Sequence, residues 1–257
     1  MLYQQRDQPP GVPPLELTGE RTLPDVPEEN YWFRRHLVVY EWIAAQADGR
    51  RVVDLACGEG YGSAVLARGG TRSVVGVDAN PEAFEHARLK YAAPGLSFER
   101  TMIELWDGEV DCAVLLQTIE HLQDPDAMLE RLRSLVGPHG VAFVSTPNVL
   151  TLAPDGAAKS GNPWHVREYR AEEYRALCER HFGRVALHGL FHARKLWLHQ
   201  RAIERARWDD VHARLRITKP FYAWFTPAVS ARDFALRLDG GRRGLDGALD
   251  FVAVLRP

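Results

Sequence analysis

The run VVDLACGEGYGSAVLA, residues 52–67, constrains this chain more than any other feature. A short apolar strand carries Asp54 near its end, and Gly58, Gly60 and Gly62 then alternate through a turn into an apolar helix. Glycine permits the tight turn and lets backbone amides approach a ligand with no Cβ in the way. The spacing GxGxG differs from the dinucleotide fingerprint GxGxxG, in which a pyrophosphate sits on the helix N-terminus, so no phosphate is catered for. The next strand, SVVGVD, ends in Asp78. Doubly wound folds place there, about 20 residues past the turn, the carboxylate that accepts bonds from both ribose hydroxyls. The ligand expected is a nucleoside with free ribose hydroxyls.

Strand, turn and helix keep alternating. PEAFEHARLKYA is read as a helix, LSFER and VDCAVLLQ as strands, and PDAMLERLRSLV as a helix opened by Asp124 and Pro125 and closed by Gly137. GVAFVST, RVALHGLF and ALDFVAVL complete a set of seven strands. The fold expected is α/β: a Rossmann-like, doubly wound seven-stranded sheet with an N-terminal helical lid and a C-terminal helical insert. Residues 1–50 are read as an arm and cap helix, and residues 51–257 as the nucleoside-binding domain, with a lid loop at 148–169 and the insert at 193–227. Six of the 16 prolines fall in the first 27 residues, which excludes regular helix there. Asn30 then stands as an N-cap for the helix YWFRRHLVVYEWIAAQA. In the insert, KLWLHQRAIERARWDDVHARLRI is read as an amphipathic helix that covers the sheet edge or a subunit contact, such as that of a homodimer. A membrane-surface helix needs more net positive charge on its polar face.

Composition removes other classes. Thirty-two basic residues against 34 acidic ones leave a net charge of −2, without the basic excess that neutralises a nucleic-acid backbone. No stretch approaches the roughly 20 apolar residues that span a bilayer, and the N-terminus lacks a cationic region followed by an apolar one. A cytoplasmic protein without stable membrane insertion is expected. Cys57, Cys112 and Cys178 are odd in number and show no CxxC spacing, which disfavours a disulfide framework or zinc knuckle.

Four ordered motifs, VVDLACGEGYG, the acidic Asp78 after VVGV, VDCAVLLQTIEHLQDP and GVAFVSTPN, resemble class I S-adenosylmethionine (SAM)-dependent methyltransferases over about residues 50–150. The flanks LTGERTLPDVPEENYWFRRH, NPWHVREY and HGLF resemble bacterial glycan O-methyltransferases of the methylglucose lipopolysaccharide type. The resemblance implies a cofactor set of Asp54, Ala56, Gly58, Gly60, Gly62, Asp78, Ala79, Thr101, Met102, Gln117 and Arg34. Within it the backbone around Gly58 and Gly60 packs under the methionine part, Asp78 binds the ribose, Thr101 and Met102 flank adenine, and Gln117 sits beside the sulfonium. Two positions depart from the family pattern. Thr101 stands where Asp is usual, and QTIEH replaces the EVLEH of quinone O-methyltransferases, so a metal site built from those acids loses a ligand at Gln117. Metal ligands are left open, with Mg2+ as an optional cofactor.

Methyl transfer to an aliphatic hydroxyl calls for a base and a closed, dry pocket. His121, just past the fourth strand, and His165 in NPWHVREY are the two candidate bases, with Glu120 beside the first. Glu20, Arg21, Tyr31, Trp32, His36 and Trp164 are candidates for acceptor contacts, Trp164 as a stacking platform for a sugar face. The expected reaction is O-methylation of a sugar, oligosaccharide or polysaccharide hydroxyl. The alternatives are O-methylation of a small phenol or quinone precursor, and a SAM-binding module without catalysis.

Overall fold

The computed structural model describes residues 2–3, 9–18, 21–154, 157–206, 208–215 and 217–257. Glu20 therefore lies outside the described residues. In the arm, β1 (Leu2–Tyr3) pairs antiparallel with β2 (Leu15–Glu16). Leu15, Leu23 and Val26 bury one another nearby, and the chain enters α1 (Asn30–Ala44). Asn30 does not cap this helix with its side chain, contrary to expectation. Its amide donates to the carbonyls of Thr226 and Val229, both at 2.8 Å, and so fastens the start of α1 to the far end of the insert.

The α/β alternation follows as expected. In order come β3 (Arg51–Leu55), α2 (Tyr61–Arg68), β4 (Ser73–Val77), α3 (Pro81–Lys90), β5 (Leu96–Glu99), β6 (Cys112–Leu116), α4 (Pro125–Val136) and β7 (Val141–Pro147). The cap residues act as the sequence indicates: Asp124 accepts a bond from the Ala127 amide at 2.9 Å, and Gly137 ends α4 at φ +60°. Then follow α5 (Val149–Leu152), α6 (Ala171–Glu179), β8 (Arg184–His192), α7 (Arg194–Ala206), α8 (Trp208–Leu215), α9 (Thr218–Phe225), β9 (Phe234–Leu238) and β10 (Asp250–Arg256). The single helix expected across residues 195–217 is thus two, α7 and α8.

The strands form one sheet in the order β5-β4-β3-β6-β7-β10-β8-β9. The first five pair in parallel, while β10 runs antiparallel between β7 and β8. The sheet holds eight strands rather than the expected seven. The additional one is β9, FALRL, a short edge strand antiparallel to β8. Alternate side chains along the sheet enter two apolar layers. Val52, Val74, Val114 and Phe143 pack with Tyr40 and Ile43 of α1 and Leu66 of α2, whereas Val53, Val77, Leu115 and Val144 pack with Leu129 and Leu132 of α4 and Tyr174 of α6. Burial of each such side chain contributes roughly 1.5–3 kcal/mol. Helix α1 is therefore part of the core on the same face as α2. Strand order reverses between β3 and β6, and the crevice at their C-terminal ends is where doubly wound sheets bind ligands.

Candidate active site

At the end of β3 the chain turns sharply. Ala56 and Gly58 take left-handed backbone angles, φ +58° and +56°, and Gly60 follows at φ +96°. Gln117, at the end of the neighbouring β6, is also left-handed at φ +50°. A non-glycine residue in this region stores strain, and such residues cluster at functional sites. Both Ala56 and Gln117 line the same cavity, of about 360 Å3. The Gln117 amide donates to the Ser145 hydroxyl on β7 at 3.0 Å, which fixes its side chain. Gly62 is required for packing: a Cβ there would lie 2.1 Å from the Tyr40 ring.

Carboxylates hold the glycine turn from three sides. Asp78, at the end of β4, accepts from the Gly58 amide at 2.8 Å and from the Asn80 amide at 2.9 Å, and it lines the cavity. Asp54 lies wholly buried beneath the turn, where it accepts from Ser63 Oγ at 2.6 Å and from the Tyr40 hydroxyl at 3.2 Å. It braces the turn and does not line the cavity. Glu59, buried between two of the glycines, meets Lys90 at 2.6 Å, the Tyr91 hydroxyl at 2.8 Å and His86 at 3.2 Å. His86 reaches the Pro13 carbonyl at 2.7 Å through its other nitrogen, so the arm, α3 and the turn are one bonded unit.

A second cavity, of about 350 Å3, adjoins the first, and Thr22, His36, Gln117 and His121 line both. His121 Nδ1 lies 2.9 Å from the Trp164 carbonyl. A carbonyl only accepts, so Nδ1 carries the proton and Nε2 is the basic nitrogen of the neutral ring. His165 lies 5.0 Å from His121 between ring centres. Its Nδ1 meets Glu168 at 2.7 Å, and its Nε2 meets the Asn162 amide at 3.0 Å. Burial alone would raise the Glu168 carboxyl, but bonds from Ser160 and His165 outweigh it and hold the group below the usual carboxylate range. The amides of Val166 and Arg167 bond the Glu120 carbonyl at 2.9 and 3.1 Å, which seats the loop on the Glu120–His121 turn.

Glu120, His121 and His165 offer ligand atoms within 4.8 Å of one another. Two imidazoles and one carboxylate suit a first-row transition ion; Mg2+ prefers oxygen donors, so the set fits magnesium poorly.

Comparison with known proteins decides the family. A methyltransferase-domain family model matches residues 30–200. The probable S-adenosylmethionine-dependent methyltransferase Rv3030 of Mycobacterium tuberculosis is 35% identical, across 99% of this chain and 96% of its own. The chain belongs to the SAM-dependent methyltransferases. A second such relative, from Mycolicibacterium smegmatis, is 37% identical over 95% of this chain and 96% of its own. The ubiquinone biosynthesis O-methyltransferase of Bordetella avium is 32% identical over 42% of this chain and 48% of its own. Among solved structures, a SAM-dependent methyltransferase and possible histamine N-methyltransferase of Thermotoga maritima superposes with a TM-score of 0.57 at 16% identity, covering 90% of this chain and 95% of that one. Magnesium protoporphyrin IX methyltransferase of Synechocystis with bound S-adenosylhomocysteine matches at 0.50 and 22% identity, covering 62% of this chain and 77% of that one. These likenesses support the fold, and the cofactor of the family is SAM.

The methyltransferase gathers some of the expected residues and leaves others aside. Ala56, Gly58, Asp78, Gln117, His121, Arg21, His36 and Trp164 line the first cavity, and Trp32, His36, Glu120, His121 and His165 line the second. Gly60, Gly62 and Ala79 do not reach either lining, nor do Thr101 and Met102, the latter 52% exposed. Arg34 points elsewhere, bonding Asn30 at 3.1 Å across its own helix. Arg21 is instead the single arginine or lysine in the first lining among the described residues. Tyr31 is committed to His192, at 2.7 Å. Arg35, next to Arg34 in sequence, forms a buried two-pronged pair with Asp250, at 2.6 and 2.5 Å. Glu59, Asp250, Ser145, Asn162 and Glu168 were not anticipated. A signal for Glu168 was present in the spacing His165-x-x-Glu168, and for Glu59 in the His86, Lys90 pair one helical turn apart.

Two groups, the buried Asp54 and the half-buried His36, titrate in opposite senses. Burial raises the Asp54 carboxyl to about 7, against the bonds from Ser63 and Tyr40. Burial, with Arg35 adjacent and partly countered by Asp250, lowers His36 to about 4. The Asp54 contribution is complete below the ordinary carboxyl value of 3.8 and is lost as pH rises through about 7. The His36 contribution is complete above 6.5 and is lost as pH falls through about 4. Between these limits the two slopes offset each other. Relative to the parent, Asp54→Asn is expected to gain stability as pH rises from 4 to 6.5, and His36→Gln to lose it, each by up to about 1.4 kcal/mol per pH unit. Melting temperatures across that range check both signs.

Proposed function

We propose that the enzyme is an O-methyltransferase that transfers the SAM methyl group to a hydroxyl of a saccharide. The observation that carries the proposal is the junction of two cavities at Gln117 and His121. In this reading the first cavity takes the cofactor, with Asp78 on the ribose hydroxyls and Arg21 toward the carboxylate, and the second takes the acceptor. The acceptor side carries Glu29, Arg35, Asn162 and three imidazoles, those of His36, His121 and His165, around the Trp32 indole, several hydrogen-bonding groups beside one aromatic edge. A phenol calls for a flat apolar slot instead. Chemically, the hydroxyl oxygen attacks the methyl carbon, the carbon–sulfur bond breaks with its electron pair going to sulfur, and His121 Nε2 takes the hydroxyl proton. The products are the methyl ether and S-adenosylhomocysteine.

Transfer of labelled methyl to a panel of glucosides, mannosides and partly methylated oligosaccharides, beside catechols and polyprenyl phenols, tests the substrate class. Label on saccharides alone is the expected result; label on phenols alone overturns it. In Asp78→Ala, S-adenosylhomocysteine affinity should fall by about 2 kcal/mol, the order for charged hydrogen bonds left unmade. Calorimetric titration reads that loss, and unchanged affinity would remove Asp78 from the ribose.

One geometric observation favours a second reading of the same junction. The imidazoles of His121 and His165 have Nδ1 engaged, by the Trp164 carbonyl and by Glu168, as metal-binding histidines do, and ligation through His165 Nε2 would exchange its bond from the Asn162 amide for the ion. Glu120, His121 and His165 would then hold a transition ion, which when bound acidifies a coordinated hydroxyl. Cobalt absorption bands that vanish in His165→Ala, together with activity lost on chelation, would assign the histidines to a metal. Full activity of metal-free enzyme would assign His121 to the proton.

A further inference from the structure

The C-terminal insert has a composition unlike the rest of the molecule. Residues 194–225 hold eight lysines and arginines against three acids, a net of +5, although the whole chain carries −2. The segment is also aromatic, and none of the residues of α9, sequence TKPFYAWF, is buried. His199 of α7 stacks on Phe225 at 4.5 Å and on Phe221 at 5.8 Å, so α7 and α9 hold each other. That internal packing leaves large apolar side chains outside: Trp224 is 69% exposed, Leu215 62% and Leu198 52%. Arg205, Arg214 and Lys219 lie among them in sequence. Residues 195–217 alone carry a net of +3; Arg194 and Lys219 raise it to +5, and α9 adds the exposed Trp224 indole.

We infer that this insert docks on a membrane surface bearing anionic headgroups. Lysine and arginine are drawn to anionic lipid, and tryptophan and leucine enter the boundary between headgroups and acyl chains. The partner is argued from charge. A second copy of the chain would bring two net-basic segments together, and a nucleic acid would leave the leucines and the indole against a phosphate backbone. An anionic lipid surface satisfies both components. The contact is peripheral, since among the described residues no helix is long and apolar enough to cross a membrane. Through the bonds from Asn30 to Thr226 and Val229, the insert joins the start of α1, where Glu29 and Trp32 line the second cavity. Docking would therefore bring that cavity near the lipid surface. The inference stands apart from the identity of the acceptor.

The experiment is co-sedimentation of the full-length protein with vesicles of phosphatidylcholine alone or mixed with phosphatidylglycerol. Binding to the mixed vesicles only, weakening with salt, is expected. Arg214→Glu/Lys219→Glu and, separately, Leu215→Ser/Trp224→Ser should each weaken it at least about tenfold, while cofactor affinity and turnover on a soluble acceptor stay at parent values, which verifies folding. Absence of binding overturns the inference, as does equal binding to both vesicles. Two further results do so: a lipid-independent dimer that Leu215→Ser/Trp224→Ser dissolves would make the patch an interface between copies. Duplex DNA displacing the vesicles, with the apolar variant binding that DNA as the parent does, would make it a polyanion site.

Discussion

Replacing His121 with alanine is expected to lower turnover by about 10²- to 10⁴-fold, the contribution typical of a positioned general base. Two imidazoles, His36 and His121, line both cavities; His36 is lowered to about 4 and is the weaker base, whereas the Nδ1 bond of His121 to Trp164 makes Nε2, 4.0 Å from Glu120, its basic nitrogen. An aliphatic hydroxyl has a very high pKa, so without a base its oxygen attacks as a neutral, weak nucleophile. The loss should appear in kcat, with S-adenosylhomocysteine affinity within a few-fold of the parent. His165 lines only the second cavity, and Glu168 and Asn162 occupy its two nitrogens. His165→Ala should therefore raise KM more than it lowers kcat, by loosening the loop that carries the Trp164 carbonyl. Equal kcat losses in the two variants would place the base function in the pair, and full turnover in His121→Ala would remove it from the mechanism.

Local chemistry made the glycine-turn end of the site readable. The glycine turn, the position of Asp78 after β4 and the caps at Asp124 and Gly137 depend on residues close in sequence, and each takes the backbone position that its local pattern indicates. What escaped depends on partners far along the chain. Arg34 and Arg35 are adjacent in sequence, yet α1 turns Arg35 toward a carboxylate 215 residues away and leaves Arg34 beside Asn30. Nothing in YWFRRH distinguishes them, because the choice is made by Asp250, not by the helix. Asn30 is a sound cap by local rule and is diverted by carbonyls 196 and 199 residues distant. Asp54 shows the converse. Its position before the glycines is part of the motif, but Tyr40 and Ser63 claim both oxygens, so it braces the turn rather than lining the cavity. The edge strand β9 is five residues long and half-buried, too short for alternation to announce it. The second cavity was the least readable part. It is assembled from α1, the Glu120–His121 turn and the loop after β7, and only His165-x-x-Glu168 within it has a sequence signature.

The Arg35–Asp250 pair bears the largest expected effect on stability. Arg35 Nε and Nη2 each donate to one Asp250 oxygen, and Nη2 also donates to the Leu249 carbonyl at 2.9 Å. Both side chains are nearly sealed from solvent, 6% and 1% exposed. Breaking such a pair leaves a buried charge without its counterion, and the loss is about 3–5 kcal/mol. Arg35→Ala should therefore unfold at a denaturant midpoint well below the parent, with a melting temperature lower by about 10 °C for a domain of this size. The pair also ties α1 to β10: Arg35 lines the second cavity and Asp250 the first. Loss of the tie should weaken cofactor binding as well as stability. The decisive control is the apolar pair Arg35→Met/Asp250→Leu. Replacing both partners removes the unpaired charge, so this variant should recover most of the stability that Arg35→Ala loses, as buried pairs often do when substituted together. If cofactor affinity stays low in that refolded variant, the charges serve the site as well as the fold; if it returns to the parent value, their role is to hold α1 against the sheet.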